Sequence, residues 1–363
     1  MNAAAQMGES KKETRLPTLQ DGKPRGLPYD AEGKELYHVG WTFHMDNDLL
    51  IPGSDRDQDY TGGFGLTLSG RQTKEKWWSI DPLLDGIDNS TGFKSLSQYK
   101  DAYPIHSAQL GVIVFSPSDI SNQQLKTNDR PFANLVYLAN SRRVVISPLD
   151  HVYQSVLTIG LLGTKIGTEL QNSIHDITGS SLAKGWQHQI SDGGEPTFQY
   201  SVSRQTMLRS DFQKNNTEYE IKYSLAGSVG YITETSFSLT GRWGYINTPW
   251  WSFTPENADY AYQPAPVIGD SVRKGIQELY LWGGAKIRTR AYNTFLQGQF
   301  RNSELTFDSD ELRHVIGEAW IGVTTQVKTY RISYVVRYQT REIKHGAGAR
   351  DPIWGGLIFS ANF

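Results

Sequence analysis

From Tyr37 onward the chain alternates apolar and polar residues with a period of two, the spacing of a strand with one face in each environment. In the first run Tyr37, Val39, Trp41, Phe43 and Met45 share one side, and His38, Gly40, Thr42, His44 and Asp46 the other. Further along, Tyr219, Ile221, Tyr223, Leu225, Val229 and Tyr231 alternate with Glu218, Glu220, Lys222, Ser224 and Ser228. Tyr330, Ile332, Tyr334, Val336 and Tyr338 alternate in the same way with Arg331, Ser333, Arg337 and Gln339. Aromatics on one face with charges opposite suit a wall between lipid and a wet lumen. The runs predict about twelve strands, near 37–48, 59–70, 105–116, 131–141, 152–165, 196–209, 217–231, 235–246, 276–290, 313–326, 329–341 and 352–363. The fold class is therefore all-β, a closed antiparallel transmembrane barrel over 37–363. The preceding 1–36, charged and without apolar periodicity, reads as a flexible polar leader with no legible signal peptide.

Composition sharpens this picture. Hydrophobic residues make up 38% of 363 positions, while Gly (35), Tyr (19) and Trp (10) are plentiful. No stretch approaches the roughly 20 apolar residues of a spanning helix. A net charge of −2 gives no basic footprint for nucleic acid. Cysteine is absent, which excludes disulfides, thiolate metal sites and cysteine nucleophiles. The last run, Ile353, Gly355, Leu357, Phe359, Ala361 and Phe363, resembles the terminal signal read by the outer-membrane barrel assembly machinery and predicts Phe359 and Phe363 facing lipid.

With both ends of the barrel chain on the periplasmic side, the connections 49–58, 117–130, 166–195, 291–312 and 342–351 share the outer rim. The turn at Lys328 and Thr329 falls on the periplasmic side. The stretches 71–104 and 247–275 are long for periplasmic turns, and their Trp77, Trp78, Trp250 and Trp251 suggest packing at the membrane interface. At the rim, Asp46, Asp48, Asp55, Asp57 and Asp59 crowd one strand-loop-strand turn. Hard carboxylate oxygens at that density suit calcium or magnesium, although Tyr60 and Leu66 rule out an EF-hand loop.

Several segments then carry a resemblance. They are DND at 46–48, DR…DYTGG within 55–63, SPSDI at 116–120, DRPFANLVYL at 129–138 and QNSIH at 171–175. GWQHQ at 185–189, EP at 195–196 and NTFLQGQFRNS at 293–303 complete the set. In that order they resemble the outer-membrane lipid A 3′-O-deacylases over nearly everything after the leader. The resemblance implies a hydrolase in the bacterial outer membrane, with the lipid A of lipopolysaccharide as substrate, membrane lipids as surroundings and calcium as cofactor. It places the catalytic pattern on His175, Asn47 and Thr61, the metal on Asp48, and secondary roles on Gln171 and Tyr60. Lys126 is the candidate for a substrate phosphate, without a positional match.

The chemistry this implies needs a base, a water and an electrophile. A neutral imidazole at His175 takes a proton from water, and a cation at Asp48 polarises the 3′-linked acyloxyacyl ester. Asn47 adds an amide donor once it turns inward where its strand ends, and Thr61 orients water or ester. His175 and Asp48 are then expected roughly 4–8 Å apart, one water-bridged span. Two other readings need the same strands: a non-catalytic pore or lipid-binding barrel, and an outer-membrane phospholipase, whose His-x-Ser-Asn-Gly motif is absent and for which His106 and Ser107 are a poor substitute.

Overall fold

The computed structural model describes residues 26–51, 59–99, 101–146, 151–178, 181–213, 216–258 and 276–363. Twelve strands follow in order: β1 (Gly40–Asn47), β2 (Asp59–Ser69), β3 (Ala102–Ser116), β4 (Ala133–Ile146), β5 (His151–Leu162) and β6 (Glu195–Gln213). The second half is β7 (Asn216–Gly230), β8 (Ile232–Ile246), β9 (Ile276–Asn293), β10 (Val315–Val327), β11 (Tyr330–Gln339) and β12 (Ile353–Asn362). Each pairs antiparallel with its sequence neighbours, and β1 pairs with β12 from Gly40↔Asn362 to Asn47↔Gly355, closing the sheet. All twelve alternating runs thus become strands. No helix of the described residues is long and apolar enough to cross a membrane.

Alternation sorts the two faces. On β1, Gly40, Thr42, His44 and Asp46 are buried, while Trp41, Phe43 and Met45 are half-exposed outside. The Thr42 and Ser360 hydroxyls meet inside at 2.9 Å, so the odd positions of β12 point outward and Phe363 is 71% exposed. Lys328 takes a φ of 56° in the short turn between β10 and β11.

Charges inside the lumen pair with one another. Glu318 accepts from Arg337 at 2.7 Å and also meets Arg288, while Glu234 accepts from Arg290 at 2.7 Å. Glu342 joins Arg130 to Arg290 near the far rim. Beside this network Tyr60, Phe115, Phe295 and Trp354 pack as one aromatic cluster. At the terminal end Trp250 and Trp251 lie on Ile105, Val145 and Val152, and Arg143 donates to Thr254 Oγ1 at 3.3 Å.

Two expectations need correction. Trp250 and Trp251 do not sit at the membrane interface, because residues 247–258 fold back into the barrel, where the two indoles are 6% and 3% exposed. Trp77, by contrast, is 94% exposed. Residues 26–36 are not a loose continuation of the leader: Leu27 and Tyr29 pack on the Trp250 cluster, and Glu35 accepts from the His106 backbone N–H at 2.7 Å. Apolar periodicity was missing there because only these few side chains are used. Residues 1–25 lie outside the described set.

Candidate active site

The tip of β1 is shaped by one amide. The Asn47 side-chain oxygen accepts from the Leu49 N–H at 2.7 Å, capping a 3-10 turn over Asp48–Leu50. Its Nδ2 donates to the Thr61 carbonyl at 2.7 Å and ties β1 to β2. Asn47 pairs with Gly62 and keeps the outward parity of its strand. It does not turn inward, because both ends of its amide are engaged on the outer side. Asp48, first in the turn, is 3% exposed. The Leu50 carbonyl accepts from the Tyr334 hydroxyl at 2.8 Å, and Tyr334 lies between the inward residues Ser333 and Val335, so the turn folds over the outside of the wall.

β2 answers with a bulge. Tyr60 pairs with Phe115 and Gly62 with Val114, which leaves Thr61 as the extra residue. A bulge re-aims side chains and bends its strand. Tyr60 enters the lumen, stacking edge-on to Trp354 and donating to Asp46 at 3.4 Å. It therefore belongs to the core and supports the site from behind. Thr61 is 5% exposed, and its hydroxyl has no hydrogen-bond partner among the described residues. Burying a hydroxyl without a bond costs about 1–3 kcal/mol. Thr61→Val should accordingly leave the urea midpoint of unfolding unchanged or raise it, and a lowered midpoint would show that the hydroxyl is structurally engaged.

The third part is helix α3 (Lys165–Thr178), in the expected rim segment 166–195. Gly167, Gln171 and His175 are spaced four apart and buried, so they form one docked face. A Cβ at Gly167 would stand 2.6 Å from Asn134 Cγ, so the helix can come this close only at a glycine. Gln171 donates to Ser116 Oγ at 3.1 Å and accepts from the Trp186 indole at 3.0 Å. His175 Nδ1 lies 2.5 Å from the Ser181 carbonyl. A carbonyl can only accept, so the proton sits on Nδ1 and the Nε2 lone pair is the basic position.

The site faces outward. Ile113 and Phe115 point into the lumen, so Val112 and Val114 point out, and Ile120, Phe132, Ala183 and Trp186 pack over them. Helix α3 and the segments around it thus clothe the outer wall of β3 and β4. Ser116, which Gln171 holds, pairs across the sheet with Asp59, two residues before Thr61. Asn47, Asp48 and Thr61 thus share the tips of β1 and β2, and Gln171 brings α3, with His175 one turn further along it, to the neighbouring tip of β3. Asp55 and Asp57 lie outside the described residues, and among the described residues no three His, Cys, Asp or Glu side chains cluster as a metal site.

Lys126 is engaged on its own loop. It donates to Asp119 at 3.0 Å, and that bond holds the Asp119 carboxyl below its ordinary range. It lines a cleft with Arg130, Phe132 and His188. His106 is 2.7 Å from Glu35 at the other end of the barrel, which removes it as a phospholipase-type base at the rim. Sequence reasoning assigned no role to Ser116, Asn134, Trp186 or Gln189. Asn134 donates to the Thr164 carbonyl at 2.9 Å and to Gln189 at 2.7 Å, anchoring both flanks of α3. These residues stand inside motifs already singled out, and only the fold shows their partners.

A family model described as outer membrane protein LpxR matches residues 28–363. No curated protein matches the chain in sequence. Among solved structures, LpxR from Salmonella typhimurium superposes with a TM-score of 0.67 at 17% identity, covering 89% of this chain and 100% of that one. The β-domain of the Bordetella autotransporter BrkA reaches a TM-score of 0.40 at 10% identity, with 90% and 99% of the two chains covered. OprB of Pseudomonas putida reaches 0.31 at 7%, with 90% and 94% covered.

Proposed function

The chain belongs to the LpxR family of outer-membrane proteins, and from that membership we propose that it is a lipid A deacylase that hydrolyses the 3′-linked acyloxyacyl ester in the outer leaflet with a water activated by His175. The observation that carries this reading is the bond from Nδ1 to the Ser181 carbonyl, which makes Nε2 the basic nitrogen of a histidine on a helix docked against the outer wall. A luminal site would serve soluble substrates. An outward corner at the outer end of the strands is where a lipid ester of that leaflet arrives.

His175 Nε2 takes a proton as the water oxygen bonds to the ester carbonyl carbon, and the carbonyl becomes an oxyanion. On collapse the carbon–oxygen bond to the sugar breaks, and the imidazolium returns its proton to the leaving alkoxide. The products are a free carboxylic acid and a sugar hydroxyl. Gln171 holds α3 against Ser116 and so positions the base. Asn47 is a positioning residue as well, since its amide fixes both the Asp48 turn and the Thr61 carbonyl. Thr61 offers its hydroxyl to the water or ester.

Calcium fits the donor chemistry of this corner. The buried Asp48 carboxylate and the Thr61 hydroxyl, which has no partner among the described residues, are the hard oxygens such an ion takes. When bound, the ion supplies positive charge toward the developing oxyanion. Asp48→Ala should lower calcium affinity and acid release together, while a chelator should stop release and leave the barrel folded on its own strand hydrogen bonds. Calorimetry of calcium binding and mass spectrometry of lipid A check both. Full release in the presence of chelator would remove calcium from the reaction.

A further inference from the structure

The wall of the barrel is much shorter on one side than on the other. On β9 the outward positions Leu279, Leu281, Gly283, Ala285 and Ile287 are exposed or half-exposed without a break, about 26 Å along the strand at roughly 3.3 Å per residue. On β4 only Val136 and Leu138 are half-exposed, and the outward neighbours Asn134 and Asn140 are buried. On β5 Ile159 and Leu161 are exposed, while Leu157 and Ser155 are buried. That is about 7 Å of bare strand.

The upper limit is the α3 layer. The lower one is a strap formed by α1 (Gln72–Glu75), α2 (Asp81–Ser90) and the 3-10 segment Phe93–Gln98. Asn140 donates to the Thr73 carbonyl and to Ser79, both at 3.0 Å. Arg142, also outward, meets Asp81 at 3.4 Å, Asp85 at 3.0 Å and Asp88 at 3.1 Å. Asp88 further accepts from Ser155 and Tyr200, both at 2.9 Å. An arginine on the lipid face of a barrel is destabilising when it meets hydrocarbon. The strap covers it and neutralises it.

The strap itself is dressed for water and headgroups. Glu75, Lys76, Asn89, Ser90, Thr91 and Gln98 are exposed on it. They alternate with Trp77 (94% exposed), Leu83 (56%) and Tyr99 (59%), the mixture found at membrane interfaces. We propose that β3 to β5 form a short lipid-facing window between the strap and α3, against which the bilayer thins. A bilayer adapts to such mismatch at fractions of a kcal/mol per Å. Resting on the deacylase reading, the consequence is delivery: lipids drawn down at the window bring their ester-bearing region to the edge of α3 that holds His175.

The absence of cysteine makes single labels clean. In the full chain in phosphatidylcholine vesicles, nitroxides at Gly86→Cys and Asn89→Cys report the strap, and Leu281→Cys and Ile287→Cys the far wall. Gly86 has nothing within 4 Å of an added Cβ, so the label should not disturb α2. The strap labels should be relaxed by an aqueous nickel chelate while the far-wall labels stay protected and respond to oxygen. Strap labels as protected from nickel as Ile287→Cys would overturn the window. Acid release from lipid A in vesicles of increasing acyl length should also fall as the bilayer thickens, and release that is flat with thickness would overturn the delivery step. A wet strap with no release in any bilayer upholds the window and defeats the deacylase reading instead.

Discussion

His175→Ala should slow release of the 3′ acyl group by about 10²–10⁴-fold, the usual loss when a positioned general base is removed. The geometry narrows what that loss means. The Ser181 carbonyl fixes the tautomer, so Nε2 is the nitrogen that must meet the water. The substitution removes the base and leaves untouched the Asn47 cap that shapes the Asp48 turn. Calcium affinity should therefore survive in His175→Ala and fall in Asp48→Ala. Gln171→Ala should reduce turnover less than His175→Ala, because it loosens the docking of α3 without deleting the reacting nitrogen. Mass spectra of lipid A from cells carrying each variant, beside heat-modifiable migration to verify folding, read these outcomes. Unchanged hydrolysis by a folded His175→Ala would withdraw the histidine from the mechanism.

The barrel was legible because its signal is local: a strand between lipid and a polar lumen alternates, and runs such as Trp41–Met45, Tyr219–Leu225 and Tyr330–Tyr338 do so. The site was legible only as motifs. Helix α3 docks through Gly167, Gln171 and His175, none of them aliphatic, while Ile166 beside that face is 49% exposed. An amphipathic reading of the segment would therefore choose the wrong side. The bulge at Thr61 is equally silent, since its cause is the register of Phe115 and Val114 on another strand. Asn140 and Arg142 on the outward face of β4 break the lipid pattern, and the polar helix that covers them stands earlier in the chain as an overlong turn. The rule that connections follow the rim does not foresee a connection lying against the wall.

Glu342→Ala should destabilise the barrel by about 3–5 kcal/mol, the cost of leaving buried partner charges uncompensated. Glu342 lies in the connection after β11, 4% exposed, between the guanidinium groups of Arg130 and Arg290, and accepts from Asn293 at 2.9 Å. Burial pushes its carboxyl up, but the two arginines prevail and hold it down to about 2, from an ordinary value of 4.5. A carboxyl depressed on folding adds stability that is fully present above its unfolded value and is lost as the pH falls through the folded one. The wild type should thus weaken between about pH 5 and pH 2, whereas Glu342→Ala, already without the carboxylate, should show a flatter decline across that window. Arg130 also stacks over the Phe115 ring, 4.9 Å from its centroid, and Phe115 pairs with Tyr60 beside the bulge. Releasing Arg130 should for this reason disturb the corner that holds Thr61, and Glu342→Ala should lose turnover before it loses its fold. Urea unfolding followed by tryptophan fluorescence at several pH values gives the stability term, and acid release measured well below the urea midpoint gives the other. A variant as stable as the wild type at neutral pH would show that the two arginines find solvent or other carboxylates when Glu342 is gone.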